Sequence, residues 1–464
     1  MLDIKLVARQ AEAVAANCVH RLMPFDVAAL VARWQERNVA LTELEDARHA
    51  SNENARAMKQ PLPADERAAK IEAGRALKVR IAELDARSSV IAAEVDAAVR
   101  LLPNLTHPDT PVGATDADNF ELRRWGTPRT LDFEVRDHVD LGRDLDLIDF
   151  ESGAVVAGQK FYFLRNQAVL IDLALQRYAI DILMAHGFTP VITPDLARPD
   201  ILEGIGFNPR GAESQVYSVA GHDLALIGTA EITIGGMLQN RILPAGDLPI
   251  RIAGISHCFR TEAGAAGRES RGLYRVHQFT KIEMFVFCDD ARIAEGGGED
   301  GDRDNSSVGD DDSTVAGAGG IAASTLRSDA IHLELLAIEE QLLQGLEIPY
   351  RVVDVCTGDL GAPAWRKFDI EAWMPGRGAY GEVTSTSNCT DYQSRRLGIR
   401  FYPPGGGKPR FAHTLNGTAI AISRTMIALL ENHQQADGSI VMPAALRPYL
   451  PFERIEPRAV AAKA

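Results

Sequence analysis

The densest chemistry in this chain lies in one string, residues 259–285. Arg260 and Glu262 close a strand-like run, a Gly-rich stretch follows, and the chain returns through Arg275, Phe279, Lys281 and Glu283. Strand alternation puts the four odd-numbered residues of the returning run on one face. Arginines grip phosphate through two parallel N–H bonds, an aromatic ring stacks a purine, and carboxylates hold an amine. Together these groups suit ATP; each alone fits equally a surface hairpin with charged ladders.

Two further blocks carry polar groups at telling spacing. In residues 381–396, Glu382 precedes a run of Thr and Ser that includes Thr384 and Ser385. A carboxylate with hydroxyls at alternate positions suits Mg²⁺ and ribose, and equally reads as a polar strand. In residues 413–432 a Gly turn leads into an apolar helix expected over 419–432, with Arg424 near its start. An arginine buried there is unfavourable unless it meets an anion.

These blocks need a frame. At 464 residues the chain is too long for one ordinary domain. The net charge of −15 excludes indiscriminate, broadly basic nucleic-acid binding. Residues 26–102 carry apolar positions spaced 4, 3, 4, 3: Leu77, Ile81, Leu84, Ser88, Ile91, Val95, Ala98 and Leu102. That heptad seam, with Leu30, Trp34, Leu41 and Leu44 on an earlier segment and prolines at 61 and 63 between, predicts two helices over 27–58 and 68–102 packed as an antiparallel arm. The proline-rich Leu102-Pro-Asn-Leu-Thr-His-Pro linker ends it. Beyond it, strand-like runs at 191–193, 224–227, 282–287, 350–355 and 368–373, with helices at 168–186 and 331–345, favour an α+β domain on a mostly antiparallel sheet. The division expected is 1–106 for the arm domain and 107–464 for the catalytic domain.

Residues 296–325 are rich in Gly, Asp and Ser, a low-complexity acidic insertion expected to be disordered. Five widely spaced cysteines without a CxxC pair argue against a disulfide scaffold or a zinc site. No signal peptide or apolar stretch of membrane length is visible, so the cytoplasm is the expected compartment.

The three blocks resemble the second and third signature motifs of class II aminoacyl-tRNA synthetases, in the wording of the bacterial-type seryl-tRNA synthetase family. Gly187-Phe-Thr-Pro-Val-Ile-Thr-Pro resembles the first class II motif, and Thr229-Ala-Glu, Cys356-Thr-Gly-Asp-Leu-Gly and Thr384-Ser-Thr-Ser-Asn-Cys-Thr-Asp extend the likeness over nearly the whole chain. The resemblance implies a serine--tRNA ligase: ATP and L-serine give seryl-adenylate and pyrophosphate, and serine passes to the 3′ end of tRNA(Ser), with tRNA(Sec) left open. Arg260, Arg275 and Arg424 are the implied catalytic residues. Arg260 takes the α-phosphate; Arg275 and Arg424 take the β- and γ-phosphates. Thr261, Glu262, Val276, Phe279, Glu382, Val383, Thr384 and Ser385 complete the implied ATP site, with Glu382 and Ser385 on Mg²⁺. Thr229, Ala230, Glu231, Arg260, Glu283, Asn416 and Thr418 are the implied serine site. The family further implies a homodimer that binds tRNA across subunits through the arm, and no membrane. A specialised paralogue supplying seryl-tRNA to a biosynthetic or resistance pathway, an aminoacyl-carrier ligase, and a non-catalytic tRNA-binding or coiled-coil protein are the alternatives; the arm argues against the second, and Arg260, Arg275 and Arg424 against the third.

Overall fold

Pro61 and Pro63 stop one long helix before the next begins. The computed structural model describes residues 1–207, 215–262, 271–293 and 325–457. These divide into two compact units: Met1–Asp118 with Cys356–Pro363, and the remainder from Asn119. The Gly-rich stretch 263–270 and the acidic insertion as far as residue 324 lie outside the described residues.

The first unit holds α1 (Ile4–Arg9), α2 (Ala11–His20), α3 (Val27–Ala57) and α4 (Ala64–Leu101). α4 begins four residues before the expected start at 68 and well ahead of the heptad pattern. Asp65 and Glu66 in its first turn meet the positive end of the helix dipole and extend it back to the prolines. Its 38 residues span about 57 Å. Leu84, Ile91, Val95 and Val99 of α4 are buried, as are Leu30, Ala40 and Leu44 of α3, whereas Leu77 and Ile81 farther out are half-buried. Cross-helix pairs Arg48–Asp85 at 2.9 Å and Arg87–Glu36 at 3.0 Å fix the antiparallel register. Being exposed, each adds little to stability, about 0.2–1 kcal/mol. The Cys356–Pro363 segment joins this unit through Arg21. That buried guanidinium donates to the carbonyl of Gly361 at 2.6 Å and to the Asn104 carbonyl and Thr106 hydroxyl, each at 3.3 Å.

The second unit is built on an eight-stranded sheet. In chain order its strands are β1 (Phe120–Trp125), β2 (Thr189–Ile192), β3 (Ile250–Phe259), β4 (Gln278–Cys288), β5 (Tyr350–Asp354), β6 (Arg366–Met374), β7 (Ala379–Thr390) and β8 (His413–Ala421). Their spatial order is β1-β5-β6-β7-β8-β4-β3-β2, antiparallel except for β2 beside β3. The helices that matter for the site are α5 (His138–Asp144), α6 (Gln167–Ala185), α7 (Ala230–Gly236), α8 (Arg327–Gly345), α9 (Tyr392–Leu397) and α10 (Ile422–Asn432).

Strand β4 shows how the sheet separates core from chemistry. Ile282, Met284, Val286 and Cys288 join the main core with residues of α6, α8 and α10. Phe285 and Phe287 point the other way, into a smaller cluster with Leu202, Ile205 and residues of α7. Period-two alternation therefore brings Phe279, Lys281 and Glu283 to the face that Phe285 shares.

Four expectations shift. The strand expected to carry Arg260 and Glu262 ends at Phe259, because Glu262 adopts a left-handed φ of 51° and the ladder cannot continue. Arg275 likewise precedes β4. The helix expected from residue 419 starts at Ile422, since Ile420 and Ala421 still pair with Ile282 and Lys281 in the sheet. The run 224–227 shortens to a strand at Ala225–Leu226.

Candidate active site

The front of the sheet gathers residues from all three blocks. At one end, arginines lie against carboxylates and rings. Arg275 Nη1 is 2.8 Å from Glu262 Oε2. Arg424 Nη1 is 3.1 Å from Glu382 Oε1, and its Nε donates to the Tyr274 carbonyl at 3.3 Å. Arg260 donates to the Gly228 carbonyl at 3.3 Å and places its guanidinium 5.4 Å from the centre of the Phe279 ring. Tyr274 lies under two cations, Arg377 at 4.4 Å and Arg424 at 4.7 Å.

A bulge in β7 settles which polar groups of the second block share a face. Thr384 pairs with Ile370 while Glu382 pairs with Glu371, so Val383 is the extra residue. Val383 is buried in the main core, and Thr384 donates to Glu339 of α8 at 3.1 Å. Glu382 and Ser385, both partly exposed, are left on the opposite face although three positions apart. Burial alone would raise the Glu382 carboxyl, but Arg424, with Lys367 and Arg260, outweighs it and holds the group well below the ordinary carboxylate range. It is a standing anion with 41% of its side chain exposed.

The other end is more buried. Thr229 caps α7 by accepting the Glu231 N–H at 3.3 Å. Glu231 Oε1 accepts from Gln393 at 2.7 Å and from Asn416 at 2.9 Å. Burial, reinforced by the nearby Glu283 charge, pushes the Glu231 carboxyl up to about 7 against the pull of Gln393, Lys281 and Arg260. Glu283, opposite Thr418 in the β4–β8 register, forms an ion pair with Lys281 and accepts from the Thr418 hydroxyl at 3.4 Å.

The side chains of Arg260, Glu262, Arg275 and Phe279 thus pair among themselves, as do Arg424 with Glu382 and Glu231 with Asn416. The side chains of Ala230, Val276, Val383 and Thr384 are buried away from solvent, so any ligand contact there falls to the backbone. The backbone N–H of Thr261 is taken by the Gln215 carbonyl at 3.1 Å. Sequence reasoning missed Tyr274, Arg377 and Gln393 as site residues, and it marked Lys281 within the first block without giving it a role of its own. Gln393 joins Glu231, Thr414 and the Ile205 carbonyl in one buried bridge. It also missed His277, held by the Tyr217 hydroxyl at 3.0 Å and the Arg260 carbonyl at 2.8 Å, with Phe161 stacked on it. Tyr274 and His277 stood within the first block, but no spacing rule distinguishes a ring that supports an arginine from one that packs.

Comparison with known proteins accords with this geometry. Residues 1–106 match the model of the seryl-tRNA synthetase N-terminal domain, and residues 215–296 and 322–433 match that of the tRNA synthetase class II core domain (G, H, P, S and T). A serine--tRNA ligase of Treponema denticola is 50% identical over 457 residues, covering 98% of this chain and 100% of the relative. One from Rubrobacter xylanophilus is also 50% identical, with 98% and 99% covered. Among solved structures, a seryl-tRNA synthetase from Pyrococcus horikoshii complexed with ATP superposes with a TM-score of 0.86 at 39% identity, covering 99% of this chain and 100% of that one. A cytoplasmic serine-tRNA ligase from Naegleria fowleri in complex with AMP gives 0.82 at 28% identity, with 99% of each covered. An α+β unit of class II form, a two-helix hairpin ahead of it and relatives matched end to end place the chain in the seryl-tRNA synthetase family of class II aminoacyl-tRNA synthetases.

Proposed function

We propose that the chain condenses L-serine with ATP to seryl-adenylate and pyrophosphate, then transfers serine to the terminal ribose of tRNA(Ser). The observation that carries this is the pairing of arginines with replaceable carboxylates beside a buried acidic pocket. Arg275 and Arg424 rest on Glu262 and Glu382; triphosphate oxygens offer the same planar recognition and more charge. Arg260, hydrogen-bonded to the residue before Thr229, stands where the two ends meet, so it is the guanidinium assigned to the α-phosphorus. As the serine carboxylate attacks and pyrophosphate leaves, charge builds on the phosphorane oxygens and Arg260 stabilises it. No protein nucleophile is required; positioning carries the rest. Phe279 stacks the adenine ring.

Glu231 receives the serine ammonium, its carboxylate held in place by Gln393 and Asn416. Glu283 and Thr418 accept from and donate to the serine hydroxyl. Alanine would leave those buried groups unpaired, and this is the basis of selection. Glu382 and Ser385 fit a hard divalent cation of the Mg²⁺ kind: the bulge brings one carboxylate and one hydroxyl to one partly exposed face, the sparse oxygen set such a cation accepts alongside substrate phosphates. When bound, Mg²⁺ offsets phosphate charge. Glu382 and Ser385 would be the residues that hold it, with the Arg424 guanidinium left to phosphate.

The arm is assigned to tRNA, through phosphates and shape. Its outer bases Arg67, Lys70, Arg75 and Lys78 are exposed or nearly so and suit that role. A homodimer is supported by an uncovered apolar patch on α6 and β2: Leu173 is 58% exposed and Ile192 84%, with Val169 and Leu170 also exposed. Among the described residues no helix is long and apolar enough to cross a membrane, and the cytoplasm, where tRNA is charged, is the compartment this reading assigns. Charging of purified tRNA(Ser) with labelled serine tests the proposal; absence of ATP-dependent charging would overturn it.

A further inference from the structure

We propose that His138 and Glu431 form a positioning dyad that holds the ATP end of the site in register; the inference rests on the functional reading above. His138 opens α5 and is 6% exposed; Glu431 lies in the last turn of α10 and is fully buried. His138 Nδ1 lies 2.8 Å from Glu431 Oε1, and the His138 backbone N–H donates to the same oxygen at 3.0 Å. Glu431 Oε2 accepts the Gly376 N–H at 2.8 Å. On the other side of the ring, His138 Nε2 accepts the Leu273 N–H at 3.1 Å. A backbone N–H can only donate, so Nε2 is bare and the ring proton sits on Nδ1, directed at Glu431.

Every segment tied to this pair leads to an ATP-site group. Leu273 is followed by Tyr274, which carries Arg424 and Arg377 on its ring, and then by Arg275. Glu431 stands two turns along α10 from Arg424. Gly376 precedes Arg377 and begins the turn into β7, which brings Glu382. The dyad touches none of the assigned phosphate ligands itself; it fixes the backbone on which they stand.

The surrounding packing is shaped for this purpose. Gly272 has φ of 73°, and a Cβ there would lie 1.9 Å from His138 Nε2. At Gly376 a Cβ would lie 2.7 Å from Asp137 Cβ and 3.0 Å from Glu431 Cδ. Two chain turns therefore close directly onto the pair, which a mere helix-end contact would not demand. A buried carboxylate that accepts from backbone on two sides and from a fixed imidazole has few ways to move without stranding a polar group. Displacing Arg275 or Arg424 by about an ångström is enough to cost on the order of 10²-fold in rate.

The test separates positioning from general stability. His138→Asn keeps an N–H for Glu431 but removes the acceptor for Leu273. His138→Gln extends a carboxamide oxygen toward the Nε2 position and can accept that N–H. In serine-dependent pyrophosphate exchange, with melting followed in parallel, His138→Asn should raise KM for ATP or lower kcat by about 10- to 100-fold. KM for serine should stay within about twofold, and His138→Gln should recover most of the loss. A folded His138→Asn enzyme with unchanged ATP parameters, or one in which both KM values rise together, would overturn the dyad's role. Should His138→Asn not fold, Glu431→Gln replaces it, with the same ATP-selective loss expected and its absence equally decisive. Wild-type exchange is the control: if it is missing, the functional reading fails, whereas normal exchange with an unaltered variant counts against the dyad alone.

Discussion

Replacing Glu231 by Gln pits function against stability in one residue. The amide oxygen of Gln can still accept from Gln393 and Asn416, so the pocket keeps its shape. What is lost is the charge assigned above to the serine ammonium, and removing one partner of a buried, hydrogen-bonded ion pair costs about 2–5 kcal/mol. KM for serine should therefore rise on the order of 10²–10³-fold, with KM for ATP little changed. Stability should move the other way. The Glu231 carboxyl is raised from the ordinary 4.5 to about 7 by burial and by Glu283. A carboxyl whose folded-state value is raised contributes fully below its unfolded value, and that contribution is lost as pH climbs through about 7. Ionised Glu231 thus costs the fold roughly 3 kcal/mol at alkaline pH, a cost the Gln variant escapes. Melting curves at pH 5 and pH 8.5 should show Glu231→Gln gaining on the wild type as pH rises, while exchange kinetics show serine affinity collapsing. In the wild type, KM for serine should also climb as pH falls below about 7, and in the variant it should not. A variant that melts earlier at pH 8.5 yet keeps its serine KM would refute the reasoning on both counts.

Arg260→Ala should reduce serine-dependent pyrophosphate exchange by at least about 10³-fold, since it removes the guanidinium assigned to the α-phosphorus; retention of a tenth of the activity would exclude that role. Deleting residues 35–95 should leave exchange intact and abolish tRNA charging, and undiminished charging would show that the arm does not hold tRNA. Ile91→Ala, in the buried seam of α4, should destabilise the first unit by about 2–5 kcal/mol in denaturant unfolding. Exchange should be unaffected, and a smaller loss would mean the seam closes over the gap.

The hairpin was legible because its signal is periodic: the 4-3 spacing from Leu84 to Val95 survives as buried residues, and one step on Val99 is buried where Ala98 was expected. Its outer reach was less so, since Leu77 and Ile81 keep the period yet have too little around them to bury fully. Lys281, Glu283 and Phe279 were placed on one face correctly because strand alternation continues unbroken through β4. Glu262 and Glu382 defeated the same rule in opposite ways. Glu262 itself is left-handed and lies beyond the strand's end at Phe259, and a bulge at Val383 restores Glu382 to the face of Ser385. Neither event has a composition signal: Glu262 is not a glycine that would announce a positive φ, and the bulge at Val383 shows only in the register with β6. Gln393, Tyr274 and the His138–Glu431 pair were invisible for a related reason. Their roles come from buried hydrogen bonds spanning 21 to 293 positions of chain, which no local spacing encodes.

The central claim is that a pocket of buried acids selects serine beside arginines that hold ATP. Amino-acid-dependent exchange of pyrophosphate into ATP, run with serine, alanine, threonine and glycine on the purified full chain, tests it most directly. The account predicts exchange with serine and at least about 10³-fold less with alanine, because alanine leaves Glu283 and Thr418 unpaired. Equal exchange with alanine, or none with serine, would contradict it.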